Sequence, residues 1–131
     1  MMKIAQAISE RSTCARRQVG CVLTDRNGRV LSMGHNGVPR GHHHCTERPC
    51  GGQGFASGQG LEACQAIHAE QNALMFCSDI EKIHACYVTT SPCEHCSKML
   101  LNTGVKIIIV GSWYDNTPCH LFDDAGKAVR V

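Results

Sequence analysis

Ala85-Cys86-Tyr87-Val88-Thr89, then Ser91-Pro92-Cys93-Glu94-His95-Cys96, then Val105-Lys106-Ile107-Ile108-Ile109-Val110 decide the architecture of this chain. The first segment is apolar and rich in β-branched and aromatic residues, which predicts a strand. Ser91-Pro92 opens a helix that runs through Leu101 and stops at Asn102-Thr103-Gly104, because proline suits a first helical turn and glycine suits the position after the last. The third segment is a continuous apolar run, which predicts a buried strand. Strands alternating with helices imply an α/β sandwich whose sheet is in part parallel.

The rest of the chain extends this pattern in both directions. Downstream, residues 118–125 read as a short helix and residues 127–131 as a closing strand. Upstream, residues 65–77 carry Ile67, Leu74, Phe76 and several alanines, a helix ending near Ser78-Asp79. Two strands, residues 19–24 and 29–33, flank Asp25-Arg26-Asn27-Gly28, whose Asn-Gly pair signals a hairpin. Ile4, Ala5 and Ile8 recur at helical intervals within residues 2–12 and predict an opening helix. Residues 35–60 are rich in Gly, His, Pro and Cys and lack periodicity. A loop of that length in a small domain is functional or pinned by something other than a core, and a metal is one such pin.

The 131 residues suit one domain spanning 1–131, with no internal repeat. With 43% hydrophobic and 18% charged residues the composition is that of a globular protein. No apolar run is long enough to cross a bilayer, and the first residues lack the apolar stretch of a secretory signal, so a cytoplasmic location is expected. The formal charge of +2 comes without a dense Lys/Arg stripe, so a small anion is a better expected partner than nucleic acid. Ten cysteines in such a chain point to metal ligands and buried thiols rather than to a disulfide scaffold.

His68-Ala69-Glu70 at the start of one helix and Pro92-Cys93-Glu94-His95-Cys96 at the start of another carry the chemistry. Cys93 and Cys96 lie one helical turn apart, so both sulfurs can face one point, and a helix N-terminus favours the thiolate. One imidazole and two thiolates give a tetrahedral zinc three protein ligands and leave its fourth position for water, the catalytic rather than the structural arrangement. Zinc lowers the pKa of a bound water to about 7, which provides a nucleophile for an amidine carbon such as C4 of cytosine. Glu70, two residues from a ligand and not itself one, is placed to take the water proton and pass it to the ring nitrogen and the departing ammonia. Cys-x-x-Cys alone also fits half a zinc ribbon or a redox pair, and Glu70 alone also fits a solvated helix charge. Together they match H-x-E…P-C-x-x-C, the pattern of zinc nucleobase deaminases.

Four blocks extend the likeness over nearly the whole chain. They are residues 12–20 (Ser12-Thr13-Cys14-Ala15-Arg16-Arg17-Gln18-Val19-Gly20), residues 34–41 (Gly34-His35-Asn36-Gly37-Val38-Pro39-Arg40-Gly41), residues 68–73 and residues 90–96. On these the chain resembles the deoxycytidylate (dCMP) deaminases of the cytidine-deaminase superfamily, in their phage and bacterial form. The family usually has Tyr where His35 stands. The resemblance implies a three-layer α/β/α sandwich around a central five-stranded mixed sheet, a hexamer, and zinc-dependent conversion of dCMP to dUMP and ammonia, which supplies dUMP for thymidylate synthesis. It also implies activation by dCTP and inhibition by dTTP, with Mg accompanying the nucleotide, through the block holding His35, Gly37 and Arg40. Asn36 resembles the family residue that hydrogen-bonds the deoxyribose, although an Asn before Gly37 also fits a simple turn. Tyr114 and Ser91 are further candidates for contacting the nucleotide, and Arg26 or Arg40 for its phosphate, where an exposed surface arginine is the plain alternative.

Of the other cysteines, Cys21, Cys77 and Cys86 lie in apolar elements and read as buried thiols, and Cys119 has no assignment. Cys14, Cys45, Cys50 and Cys64 border the irregular region. Phage and bacterial relatives resemble this chain in holding a structural zinc there, and four thiolates form a closed, non-catalytic site. His44 is a substitute ligand, and unrelated loop thiols beside a solvated His42-His43-His44 run are the alternative. Other functions compatible with the motifs are a zinc deaminase for a free nucleoside, guanine or a tRNA base, and a zinc-stabilised binding module. Nucleoside-type cytidine deaminases generally have Cys where His68 stands, a tRNA enzyme calls for a more basic surface, and retention of Glu70 disfavours a module without catalysis.

Overall fold

Gly20–Thr24 (β1) and Val30–His35 (β2) pair antiparallel about a turn that Asp25 organises: its carboxylate accepts from the backbone N–H groups of Asn27 and Arg29 at 2.8 and 2.9 Å. Gly28 takes the left-handed φ of 79° that this turn needs. Asn27 keeps a negative φ, so the turn is not the two-residue type with two left-handed residues that Asn-Gly most often signals. Ala85–Thr90 (β3) joins the other edge of β1 antiparallel, and Ile107–Ser112 (β4) and Ala128–Arg130 (β5) add in parallel, giving the order β2-β1-β3-β4-β5. The sheet is therefore the five-stranded mixed sheet expected. The structure is a computed structural model and describes residues 1–48, 51–52, 54–56, 59–60 and 63–131.

Met2–Ser9 (α1) covers one face of the sheet. Ala69–Met75 (α2), Glu94–Leu101 (α3) and Cys119–Asp124 (α4) follow one another across the other. The parallel β3-α3-β4 and β4-α4-β5 units place α3 and α4 on a common face by the right-handed crossover rule, and α2 touches α3, which touches α4. Cys21, Leu23, Ala73, Cys86, Val88, Leu100, Ile108 and Phe122 are buried in one cluster between the sheet and this second layer. Cys21 and Cys86 are the buried thiols their apolar surroundings suggested, with sulfurs 3.6 Å apart. Cys77 differs, lying half-buried in the turn after α2.

Several boundaries shift for identifiable reasons. The helix expected from residue 65 begins at Ala69, because Ile67 is extended and exchanges both backbone hydrogen bonds with Gly37 at 2.8 and 3.1 Å. The helix expected from Ser91 begins at Glu94: Ser91 precedes a proline, which disfavours helix, and Cys93 is an extended N-cap at φ −70°, ψ 174°. A 3-10 turn at Ile80–Lys82, capped by the Asp79 carboxylate on the Glu81 N–H, was not foreseen.

Gly34 fixes how closely α2 approaches the sheet. A Cβ there collides with the Ala69 carbonyl and the Ala73 amide of α2, while the neighbouring Ser32 hydroxyl donates to the Ala73 carbonyl at 2.7 Å. Gly34→Ala is expected to push α2 off β2 and to lower stability by about 1–3 kcal/mol, as overpacking in a close-packed interior does. A denaturant midpoint equal to that of the unmodified protein would show that the helix has room to spare.

Candidate active site

The two motifs meet where α2 and α3 begin. His68 is the extended N-cap of α2 at φ −71°, ψ 155°, and the Gln71 side-chain oxygen accepts from its backbone N–H at 2.8 Å. That bond fixes the imidazole at the mouth of the helix. Cys93 caps α3 and Cys96 lies in its first turn, so both sulfurs reach the same imidazole edge: His68 Nδ1 stands 3.5 Å from Cys93 Sγ and 3.3 Å from Cys96 Sγ. Zinc–nitrogen and zinc–sulfur bonds of about 2.0–2.3 Å in a tetrahedron separate ligand atoms by roughly 3.5 Å, so these donors have the spacing and chemistry of a zinc site. Among the described residues this is the one set of three or more His, Cys, Asp or Glu whose ligand atoms lie within 4.8 Å of one another.

The electrostatics agree with that use. The Cys93 thiol is pushed down to about 3, chiefly by the hydrogen bond from the Cys96 thiol and further by His68 and the Cys96 backbone N–H. Cys96 is pushed well up by donating that bond, by burial and by the nearby Glu70 charge. The hydrogen bond with Cys93 also raises the His68 pKa, against the effect of burial. Such a cluster holds negative charge at close quarters, and a divalent cation is the partner that relieves it.

Glu70, buried in the first turn of α2, is the proton-handling group beside these ligands. Burial raises its carboxyl to about 6, against its own backbone N–H and His68, which pull it down. It shares a cavity of about 400 Å³ with His68, Cys93, Asn36, Ser91 and Tyr114, a volume in the range of small-molecule sites. Asn36 Oδ1 accepts from the Val19 N–H at 2.9 Å and its Nδ2 donates to the Arg17 carbonyl at 2.8 Å. Each end of the amide keeps one hydrogen-bonding position for a ligand. Ser91 Oγ accepts from the Tyr114 N–H at 2.6 Å and lies 2.6 Å from Thr117 Oγ1, which ties the tip of β4 to the Ser91-Pro92-Cys93 turn.

Other candidates lie elsewhere. Arg26 is exposed in the β1–β2 turn, at the end of β1 away from Gly20 and Asn36; five strand residues at about 3.3 Å each put it some 16 Å along the sheet. It is not among the residues lining this cavity. Arg40 is exposed, whereas His35 and Gly37 are half-buried; the His35 carbonyl accepts from Asn72 Nδ2 at 2.8 Å and Gly37 pairs with Ile67. Cys14 and Cys64 are half-buried on the cavity wall and Cys45 is buried, and the expected fourth ligand, Cys50, lies outside the described residues. His44 Nδ1 is 3.0 Å from Thr13 Oγ1. Arg16, Arg17 and Phe55 also line the cavity, which the sequence reading missed: Arg16 and Arg17 stood inside a quoted block, but nothing in their spacing said which way the segment turns.

Residues 1–112 match the family described as the cytidine and deoxycytidylate deaminase zinc-binding region. The deoxycytidylate deaminase of Schizosaccharomyces pombe is 36% identical over 98% of this chain, which spans 42% of that protein's length. The deoxycytidylate deaminase of Mycobacterium phage D29 is 37% identical over 81% of this chain and 87% of its own. In structure, the dCMP deaminase of the cyanophage S-TIM5 in complex with dCMP and dUMP superposes with a TM-score of 0.76 at 30% identity, covering 99% of this chain and 93% of that one. With its zinc-type ligand set and buried glutamate at one cavity, this chain belongs to the cytidine and deoxycytidylate deaminase zinc-binding family.

Proposed function

We propose that this chain converts dCMP and water to dUMP and ammonia. The observation that carries this reading is Glu70, buried, with a carboxyl near neutrality and beside a zinc-type His68–Cys93–Cys96 set at one cavity. The deoxycytidylate deaminases among its relatives supply the choice of base and sugar. Zinc held by His68, Cys93 and Cys96 supplies a water acidified towards neutral pH. Glu70 accepts the water proton, protonates the pyrimidine N3 and then the leaving amino group, a sequence helped by a pKa near the working pH. Asn36, with its spare N–H and lone pair, holds the deoxyribose, while Ser91 and Tyr114 shape the wall beside the base. No helix among the described residues is long and apolar enough to cross a membrane, and the thiolate-rich centre suits the reducing cytoplasm, where we place the protein.

The reading extends to regulation and assembly. The segment holding His35, Gly37 and Arg40 takes dCTP or dTTP with Mg in a hexamer, and a second, structural zinc sits on Cys14, Cys45, Cys50 and Cys64. Two contacts support the coupling: Gly37 is paired with Ile67, the residue before the ligand His68, and the His35 carbonyl holds Asn72 of α2. A typical coupling of about 1–3 kcal/mol changes apparent affinity roughly 5–150-fold. Ammonia release from dCMP, dCTP, cytidine, deoxycytidine and guanine, with and without effectors, tests both parts. The expected result is activity on dCMP above the others, sigmoidal kinetics made hyperbolic by dCTP with Mg, and inhibition by dTTP. Preference for another member of the panel overturns the substrate; hyperbolic kinetics indifferent to both triphosphates removes the regulation alone.

A further inference from the structure

The chain leaves β4 at Ser112 and enters α4 at Cys119, and on the way between them Tyr114 forms part of the cavity wall. One residue, Ser91, fastens this connection at three points. The Ser91 N–H donates to the Ser112 carbonyl at 2.9 Å, the Tyr114 N–H donates to Ser91 Oγ at 2.6 Å, and Thr117 Oγ1 lies 2.6 Å from the same oxygen. The Thr117 N–H closes the turn on the Tyr114 carbonyl at 2.9 Å. Ser91 is buried, lines the cavity, and is joined to the ligand Cys93 through Pro92. The fixed φ of that proline leaves little freedom between hydroxyl and sulfur. A hydroxyl oxygen has two lone pairs and one proton. The Tyr114 N–H takes one lone pair of Ser91; a Thr117 hydroxyl that donates takes the other, and the Ser91 proton is then left for a ligand.

We propose that Thr117 is a positioning residue for the reaction: by donating to Ser91 it holds the Tyr114 turn against the cavity and makes the Ser91 hydroxyl a donor to an acceptor atom of the bound pyrimidine. This rests on the deaminase reading above. Thr117 is absent from the cavity wall, so it acts through Ser91 and touches no substrate itself.

The test measures kcat and KM for dCMP in the zinc-loaded protein, together with the dissociation constant of dUMP read from the fluorescence of Trp113, the one tryptophan of the chain. Thr117→Val keeps the branched shape and removes the hydroxyl. KM and the dUMP dissociation constant are expected to rise about 5–50-fold, the size of a buried hydrogen-bonding group deprived of its partner, with kcat and zinc content nearly unchanged. Thr117→Ser, which keeps the hydroxyl, should recover most of the loss. The double variant of Thr117→Val with Ser91→Ala should bind dUMP no more weakly than Ser91→Ala alone, since two changes on one path do not add. A lower melting temperature in Thr117→Val with KM and dUMP binding unmoved overturns the proposal in favour of a purely structural bond. Losses that multiply in the double variant overturn it as well, and in both cases the substrate assignment stands. An unmodified protein that neither turns over dCMP nor binds dUMP overturns both readings.

Discussion

Glu70→Gln is expected to keep the fold and the zinc and to lose turnover by about 10²–10⁴-fold, the usual contribution of a positioned acid–base group. Glutamine has the shape of glutamate, and Glu70 is not among the three ligand residues, so neither packing nor metal binding asks for the charge. Burial raises the carboxyl to about 6, which means that the folded protein holds this charge at a cost, and a neutral amide relieves that cost. The melting temperature of Glu70→Gln should therefore equal or exceed that of the unmodified protein. What the amide lacks is a lone pair basic enough to take the water proton, and both attack and ammonia departure depend on that transfer. The variant should bind dCMP without turning it over. Turnover within a few-fold of normal, at full zinc content, would remove Glu70 from the mechanism.

The strands and helices of the second half were legible because each is set by its own composition: Ile107, Ile108 and Ile109 form a strand in almost any context, and Gly104 stops α3 close to where it was expected. The metal ligands were legible because zinc chemistry restricts residue type and spacing together, so His68, Cys93 and Cys96 declare themselves before any fold is known. Helix starts were less so. Ala69 begins α2 because Ile67 is paired with Gly37, thirty residues away in a segment with no periodicity, and no local propensity reports such a bridge. Arg26 and Arg17 show the same limit in the site. Both are exposed arginines, yet Arg17 lines the cavity and Arg26 does not, a difference that nothing in their residue type announces. The departures come from contacts between distant segments, where tertiary pairing outweighs local preference.

Zinc content should separate the two proposed metal sites. The unmodified protein is expected to carry two zinc ions per chain, Cys96→Ala one and Cys45→Ser one. Cys96 is fully buried at the start of α3 and places its sulfur 3.3 Å from His68 Nδ1, so alanine removes one of three ligands from the set. Turnover should fall to background, and since this variant loses only an open-sided site, the change in melting should be the smaller of the two. Cys45 is buried in the long loop, where nothing periodic supplies a core. A closed thiolate site contributes folding free energy directly, apparent values reaching about 10–16 kcal/mol in zinc-finger peptides. Cys45→Ser should therefore melt well below the unmodified protein, and its remaining zinc should be the one that a chelator strips first, because a site with a position open to water exchanges ligands more readily than a closed one. One zinc in the unmodified protein, together with an unchanged melting temperature for Cys45→Ser, removes the structural site. Full zinc content in Cys96→Ala removes the assigned ligand set.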